Sequence, residues 1–249
     1  MNNLRRITLL AMGVLLLDAA STPGGEYRDA TGFSFTYPDD WFAVANPSKV
    51  LSETAPSPEL QRWMTWVRKS NIDLSKTSVW LGRTGAETVS ESINVVVDHK
   101  QTPVNENTLK SVLKVFPEVF QAKGAPMENL KGRIQKVGMH DAIVLEYGTK
   151  LPVQSDPVRI KQVIFSGGGN TYYVTCSATP DAFPRNAQTF DTVLASVKVP
   201  ELIAKERSWM PSWSLFVIGG CLGMLFHAGK RLLGIKDPGQ SDRKTEPNS

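Results

Sequence analysis

The chain has 249 residues, with 28 Lys and Arg against 24 Asp and Glu and a formal net charge of +4. Its pI of about 9.0 invites a nucleic-acid partner, but the excess is local. Arg5, Arg6 and the five basic residues beyond position 229 hold 7 of the 28 cations and Asp18, Asp237, Asp242 and Glu246 hold 4 of the 24 acids, which leaves 21 basic against 20 acidic residues between them. A near-neutral middle with no aromatic-flanked basic stripe excludes a nucleic-acid-binding function.

At the N-terminus, Arg5 and Arg6 precede an apolar run from Ile7 to Leu17, then Asp18 and the small residues Ala19, Ala20 and Ser21. Eleven apolar residues are too few to cross a bilayer and suit an export signal, so residues 1–22 read as a signal peptide or, if uncut, an N-terminal anchor. Residues 24–200 then form one domain of ordinary size, long enough to bury a core. It holds a single cysteine, Cys176, so no internal disulfide braces it. The alternation Tyr172, Val174, Cys176, Ala178 places that thiol on the apolar face of a strand.

In chain order, Gly32–Pro38 and Trp41–Val44 flank a Pro38-Asp39-Asp40 turn and read as an opening hairpin. Ser57-Pro58-Glu59 supplies an N-cap, a proline at the first helical position and an acid in the first turn. The helix that follows carries Leu60, Trp63, Met64 and Val67 on one face, and Arg62, Arg68 and Lys69 toward water. Strands are expected at Ser78–Leu81 and Ile93–Asp98. A longer helix is expected over Asn107–Ala122, with Leu109, Val112, Leu113, Phe116 and Phe120 at helical spacing and Pro117 set to kink or split it. Further strands fall at Leu130–Val137 and Ala142–Tyr147. Arg159–Phe165 and Thr171–Ala178 form a hairpin around Gly167-Gly168-Gly169-Asn170, where glycine supplies the positive φ that a tight reversal needs. A helix over Asn186–Val197, striped with Phe190, Val193, Leu194 and Val197, closes the domain. The order predicts an α+β fold, an antiparallel β-sheet flanked by helices in an α/β/α sandwich.

After a juxtamembrane linker at 201–208, Trp209–Gly229 runs 21 residues without a charge, about 31 Å as a helix and enough to span a membrane. Lys230, Arg231, Lys236, Arg243 and Lys244 all follow it, and Trp209 and Trp213 mark the opposite interface. The excess of cations marks the cytoplasmic side. A single-pass plasma (inner) membrane protein is expected, with its domain extracytoplasmic and a disordered tail at 230–249 inside. Gly219 and Gly223 make a Gly-x-x-x-Gly pair that allows close helix approach, a candidate contact for weak homodimers.

Residues with chemical potential have plain structural readings. His99 beside Asp98 and His140 beside Asp141 are the two histidines of the domain, and adjacent strand residues point to opposite faces, so neither pair is a ready-made dyad. Zinc spacings and a Gly-x-Ser-x-Gly elbow are absent. Gly167-Gly168-Gly169 joins two strands and lacks the Lys-Ser or Lys-Thr and helix of a phosphate loop. Asp39 and Asp40 read as a solvated turn. Trp63 and Trp66, three residues apart on a short amphipathic helix, read either as core or as anchors for a protein partner. No catalytic, cofactor-binding or metal-ligating residue is assigned, and no cofactor.

Gly32-Phe33-Ser34-Phe35 with Tyr37-Pro38 and Trp41 resembles the start of the PsbP superfamily, which also includes DcrB and the Ran-binding Mog proteins. Lys161-Gln162-Val163, the glycine hairpin, Tyr172-Tyr173-Val174 and the helix through Phe190 and Val197 are similar to it as well. The resemblance covers most of Tyr27–Val199. It implies an α/β/α sandwich that serves as a binding or assembly accessory rather than an enzyme. Photosynthetic members support the oxygen-evolving side of photosystem II, so a photosystem-associated role is the alternative it carries. Residue chemistry alone leaves a cryptic hydrolase or metal-dependent activity as the other. The expectation is a non-catalytic, membrane-anchored domain that binds an envelope protein.

Overall fold

The computed structural model describes residues 23–51, 57–70, 74–86, 90–122, 124–150 and 156–201. The predicted signal, the predicted span with Gly219 and Gly223, and the basic tail lie outside the described residues. Among the described residues, no helix is long and apolar enough to cross a membrane.

The domain is α+β. Strands β1 (Pro23–Arg28) and β2 (Ser34–Pro38) form a small antiparallel ribbon. Strands β3 (Trp41–Ala45), β4 (Thr77–Arg83), β5 (Ser92–Asp98), β6 (Met127–Val137), β7 (His140–Thr149), β8 (Val158–Gly167) and β9 (Asn170–Ala178) form a seven-stranded sheet in the order β3-β4-β5-β9-β8-β7-β6. Every pairing in it is antiparallel. The helices are α1 (Pro47–Val50), α2 (Pro58–Ser70), α3 (Glu106–Ala122) and α4 (Phe183–Ala195).

Alternation along the strands divides the core into two layers. One face of the sheet packs Trp80, Val96, Tyr173, Ile164, Ile160 and Leu145 against Trp63, Met64 and Val67 of α2 and Val112, Phe116 and Phe120 of α3. The other packs Val79, Ile93, Val95, Val174, Cys176, Val163 and Val144 against Phe190, Val193 and Leu194 of α4 and against Tyr27, Phe33 and Phe35 of the ribbon. The expected sandwich therefore has a helical layer on one side and a mixed layer, α4 with the ribbon, on the other.

The opening hairpin is a correction. β2 pairs with β1, and β3 pairs with β4 at the edge of the large sheet. The Asp39-Asp40 turn carries the chain from one layer to the next. β1 escaped the sequence reading because Pro-Gly-Gly-Glu-Tyr-Arg shows no alternation, although Tyr27 is buried.

The helix starts follow local chemistry. Ser57 Oγ accepts from the Leu60 amide at 3.2 Å, the expected cap. Asn105 Oδ1 accepts from the Thr108 amide at 2.9 Å and sets the start of α3 one residue before the predicted Asn107. Pro117 neither splits nor ends that helix; it is half-buried within one run to Ala122. Helix α4 begins at Phe183 and stops at Ala195, whereas the apolar stripe placed it at 186–197. Asn186 lies inside it with a buried side chain, and Val197 is buried beyond its end.

Candidate functional site

The end of the sheet marked by the glycine hairpin gathers a connected set of polar side chains. Gly167 and Asn170 close the β8–β9 ladder around Gly168 and Gly169, whose φ of 58° and 80° are those a two-residue reversal requires. The turn between β1 and β2 reaches the same place. There Asp29 Oδ1 accepts from the amides of Thr31 and Phe33 at 2.8 and 3.2 Å and from the Thr31 hydroxyl, a local turn typical of aspartate.

A directed chain of hydrogen bonds follows. Because the Thr31 hydroxyl proton is committed to Asp29, Tyr172 Oη donates to Thr31 Oγ1 across 2.8 Å. Asn170 Nδ2 in turn donates to Tyr172 Oη at 3.4 Å, and His99 Nδ1 donates to Asn170 Oδ1 at 3.0 Å. An exposed imidazole is thus connected through four bonds to a carboxylate. Tyr172 is buried and stacked on Phe33, with centroids 4.4 Å apart. Burial raises its phenol above the ordinary value, the bonds to Thr31 and Asn170 oppose this, and the Asp29 charge adds to the rise. The phenol therefore stays protonated at neutral pH, and the chain of bonds straps the ribbon to the sheet.

The strand-like segment after α4 is clamped at this same end. Ser34 and Lys198 exchange backbone hydrogen bonds of 3.1 and 2.8 Å, and the Gly168 amide donates to the Glu201 carbonyl at 2.8 Å. Pro200 lies on the hairpin so closely that a Cβ at Gly167 would collide with the Pro200 carbonyl. His140 completes the clamp by accepting the Val199 amide on Nε2 at 3.2 Å. Its ring stands edge-on to Phe165.

The two histidines do not converge. His140 opens β7 and His99 follows β5, three strand spacings apart in the order β5-β9-β8-β7, or about 14 Å. Neither bonds the aspartate beside it. Burial raises the Asp98 carboxyl above its ordinary value, partly offset by the charges of Lys76, Lys100 and His99. Asp141 is exposed. Among the described residues, no group of three or more His, Cys, Asp or Glu is placed to hold a metal ion.

Elsewhere, Asp40 pairs with Arg83 at 3.3 Å while Asp39 stays exposed. The Cys176 thiol lies fully buried, and burial pushes it well above its ordinary value. Trp63 is 1% exposed, and Trp66 is half-buried, with both rings set against Trp80 at 6.1 and 5.7 Å. Of these two, Trp66 alone keeps surface that a partner could touch.

Sequence reasoning missed Glu91. Its side chain is 4% exposed and accepts from Arg83 at 3.2 Å, Arg185 at 2.9 Å and Asn186 at 2.8 Å. Burial pushes the carboxyl up, but the hydrogen bonds from Asn186, Arg185 and Arg83 outweigh it and leave the group below its ordinary value. This knot fastens the start of α4 to the β4–β5 connection. The partners lie up to 95 positions apart, so no local motif announces them.

Comparison with known proteins returns distant structural similarity. No family model and no curated protein matches the chain. Among solved structures, the chain is similar to the solution structure of cyanobacterial PsbP from Synechocystis sp. PCC 6803, at 17% identity and a TM-score of 0.46, covering 70% of this chain and 91% of that one. It is similar to a protein from Bacteroides thetaiotaomicron at 11% identity and a TM-score of 0.42, over 74% of this chain and 50% of that one. It is similar to LpqN, described as involved in cell envelope biogenesis of Mycobacterium tuberculosis, at 13% identity and a TM-score of 0.36, over 72% and 87%. At these identities and TM-scores, no residue role passes from those proteins to this chain.

Proposed function

We propose that this protein is a membrane-tethered, non-catalytic module that works outside the cytoplasm by binding another envelope protein. The observation that carries the reading is the clamp at residues 198–201. It fixes the point where the chain leaves the domain at the glycine-hairpin end of the sheet. Residues 202–208 separate that point from the predicted span at 209–229, and seven residues reach at most about 25 Å. The hairpin end, with His99, Met139, the Gly168-Gly169 turn and Glu201, then faces the lipid, and α2 with Trp66 is presented laterally.

The side-chain chemistry supports an accessory role rather than turnover. The two histidines are separated, Cys176 is sealed in the core, and Glu91 is saturated by three donors. The PsbP-like sequence segments agree with that role. Fusions to a reporter that matures only after export test the arrangement. Fusion just before Trp209 should give active reporter and fusion after Lys230 inactive reporter; the opposite pattern would reverse the orientation and end the reading.

A further inference from the structure

The face of the sheet under α2 and α3 carries a continuous row of polar-bearing side chains across its middle. Trp80 on β4 pairs with Asn94 on β5, Asn94 with Thr175 on β9, and Thr175 with Gln162 on β8. Directly paired residues share a face, so these four side chains stand side by side over about 14 Å. All four are at least nine-tenths buried. Trp63 stands over the row from α2, its ring centroid 6.1 Å from that of Trp80.

Part of the hydrogen-bonding capacity of this row is unused. Gln162 Nε2 donates to Thr175 Oγ1 at 3.1 Å. The indole N–H groups of Trp63 and Trp80 and the amide oxygens of Asn94 and Gln162 are buried without a partner. They are four of the five such side-chain atoms among the described residues, which makes them a cluster rather than scattered imperfections. Exchanging O and N in Gln162 would let the Thr175 hydroxyl donate to the oxygen but leave the amide nitrogen as an orphan donor, so no orphan is removed.

We infer that this row is an internal binding site for a neutral hydrogen-bonding guest. Two donors and two acceptors require a molecule that offers both functions. Water is the smallest, and a small uncharged amide or polyol has the same capacity. No charged side chain belongs to the row, so a charged guest would be buried without a counter-charge. The position also suits a guest rather than rearranged protein contacts. The row crosses the middle of the sheet, where the ladder fixes each Cα, and both tryptophans are packed into the aromatic cluster. The site is independent of the membrane reading.

The test uses the full chain in detergent micelles with nitrogen-15 in its tryptophan indoles. The Trp63 and Trp80 signals are assigned by Trp63→Phe and Trp80→Phe, and rotating-frame spectra separate dipolar contact from chemical exchange. The expected result is a dipolar cross-peak from at least one of the two indole protons to a non-protein proton. A peak at the water frequency identifies ordered water, and one elsewhere identifies an organic guest. In the double variant Asn94→Leu with Gln162→Leu, that cross-peak should fall at least tenfold. Wild-type protein with no such peak on either indole would overturn the proposal, and so would a peak of unchanged strength in a double variant that keeps the wild-type tryptophan spectrum.

Discussion

Under α4, the middle of the sheet presents Ile93, Val95, Val174, Cys176, Val163 and Val144, all fully buried and closed by Phe190. Under α2 and α3, the same strands present Trp80, Asn94, Thr175 and Gln162 at equal depth. The residues of the two layers alternate along one chain: Asn94 stands between Ile93 and Val95, and Thr175 between Val174 and Cys176. At the middle of the sheet one layer is thus lined by apolar side chains alone, with its polar contacts kept to the margins, while the other contains hydrogen-bonding groups that need partners. The difference teaches that depth of burial and dryness are separate properties, and that register rather than composition decides which face acquires each.

Truncating the anchor of the dry layer should have the largest effect. Phe190→Ala removes a ring that touches Trp41 and Phe183 and should cost about 3–5 kcal/mol. The same amount of denaturant-unfolding stability should not be lost when Asn94 or Gln162 becomes Leu. Equal losses at both faces would erase the contrast drawn between them.

A smaller effect is expected from the knot that fastens α4 over the dry layer. Glu91→Gln should cost about 2 kcal/mol at neutral pH, the scale of hydrogen bonds to charged groups. Its pH signature has a definite sign. The Glu91 carboxyl is held below its ordinary 4.5 in the folded state, so the unfolded chain binds the proton more readily there. The stabilisation is complete above that ordinary value and is lost as the pH falls through the folded one. Unfolding followed from pH 6 downward, a range set by about one to two units around that carboxylate value, should show a shallower acid loss in the variant than in wild type. Parallel curves would show that the Glu91 charge is not what fastens α4.

Much of this was legible in the primary structure. Short β-rich runs bounded by turn residues, with alternation at Ile93, Val95 and Val97 and from Tyr172 to Ala178, located the seven strands from Trp41 to Ala178, and Ser57-Pro58 announced α2 because cap and proline act within one turn. What escaped depends on neighbours distant in the chain. The ribbon strand β1 was hidden because its glycines carry no pattern, and β2 was therefore matched to the wrong partner across Pro38. The strap from His99 to Asp29 joins residues up to 141 positions apart, and the Glu91 knot and the polar row exist only once register is set. Asn170 closing a glycine turn and the Asp29-x-Thr31 spacing were the two local signals that could have pointed to the strap. For Trp63 and Trp66, helical spacing showed the shared face but not that Trp80 would rise from β4 to meet both.

The most direct measurement for the central claim, a clamped module held outside the membrane with its hairpin end toward the lipid, uses Met139. It is 80% exposed at the tip of the β6–β7 hairpin, while Cys176 is fully buried. In sealed spheroplasts carrying Met139→Cys with Cys221→Ser, a membrane-impermeant maleimide should label the new thiol to the same extent before and after the membrane is opened. Labelling that appears only after opening would place the module in the cytoplasm and contradict the account.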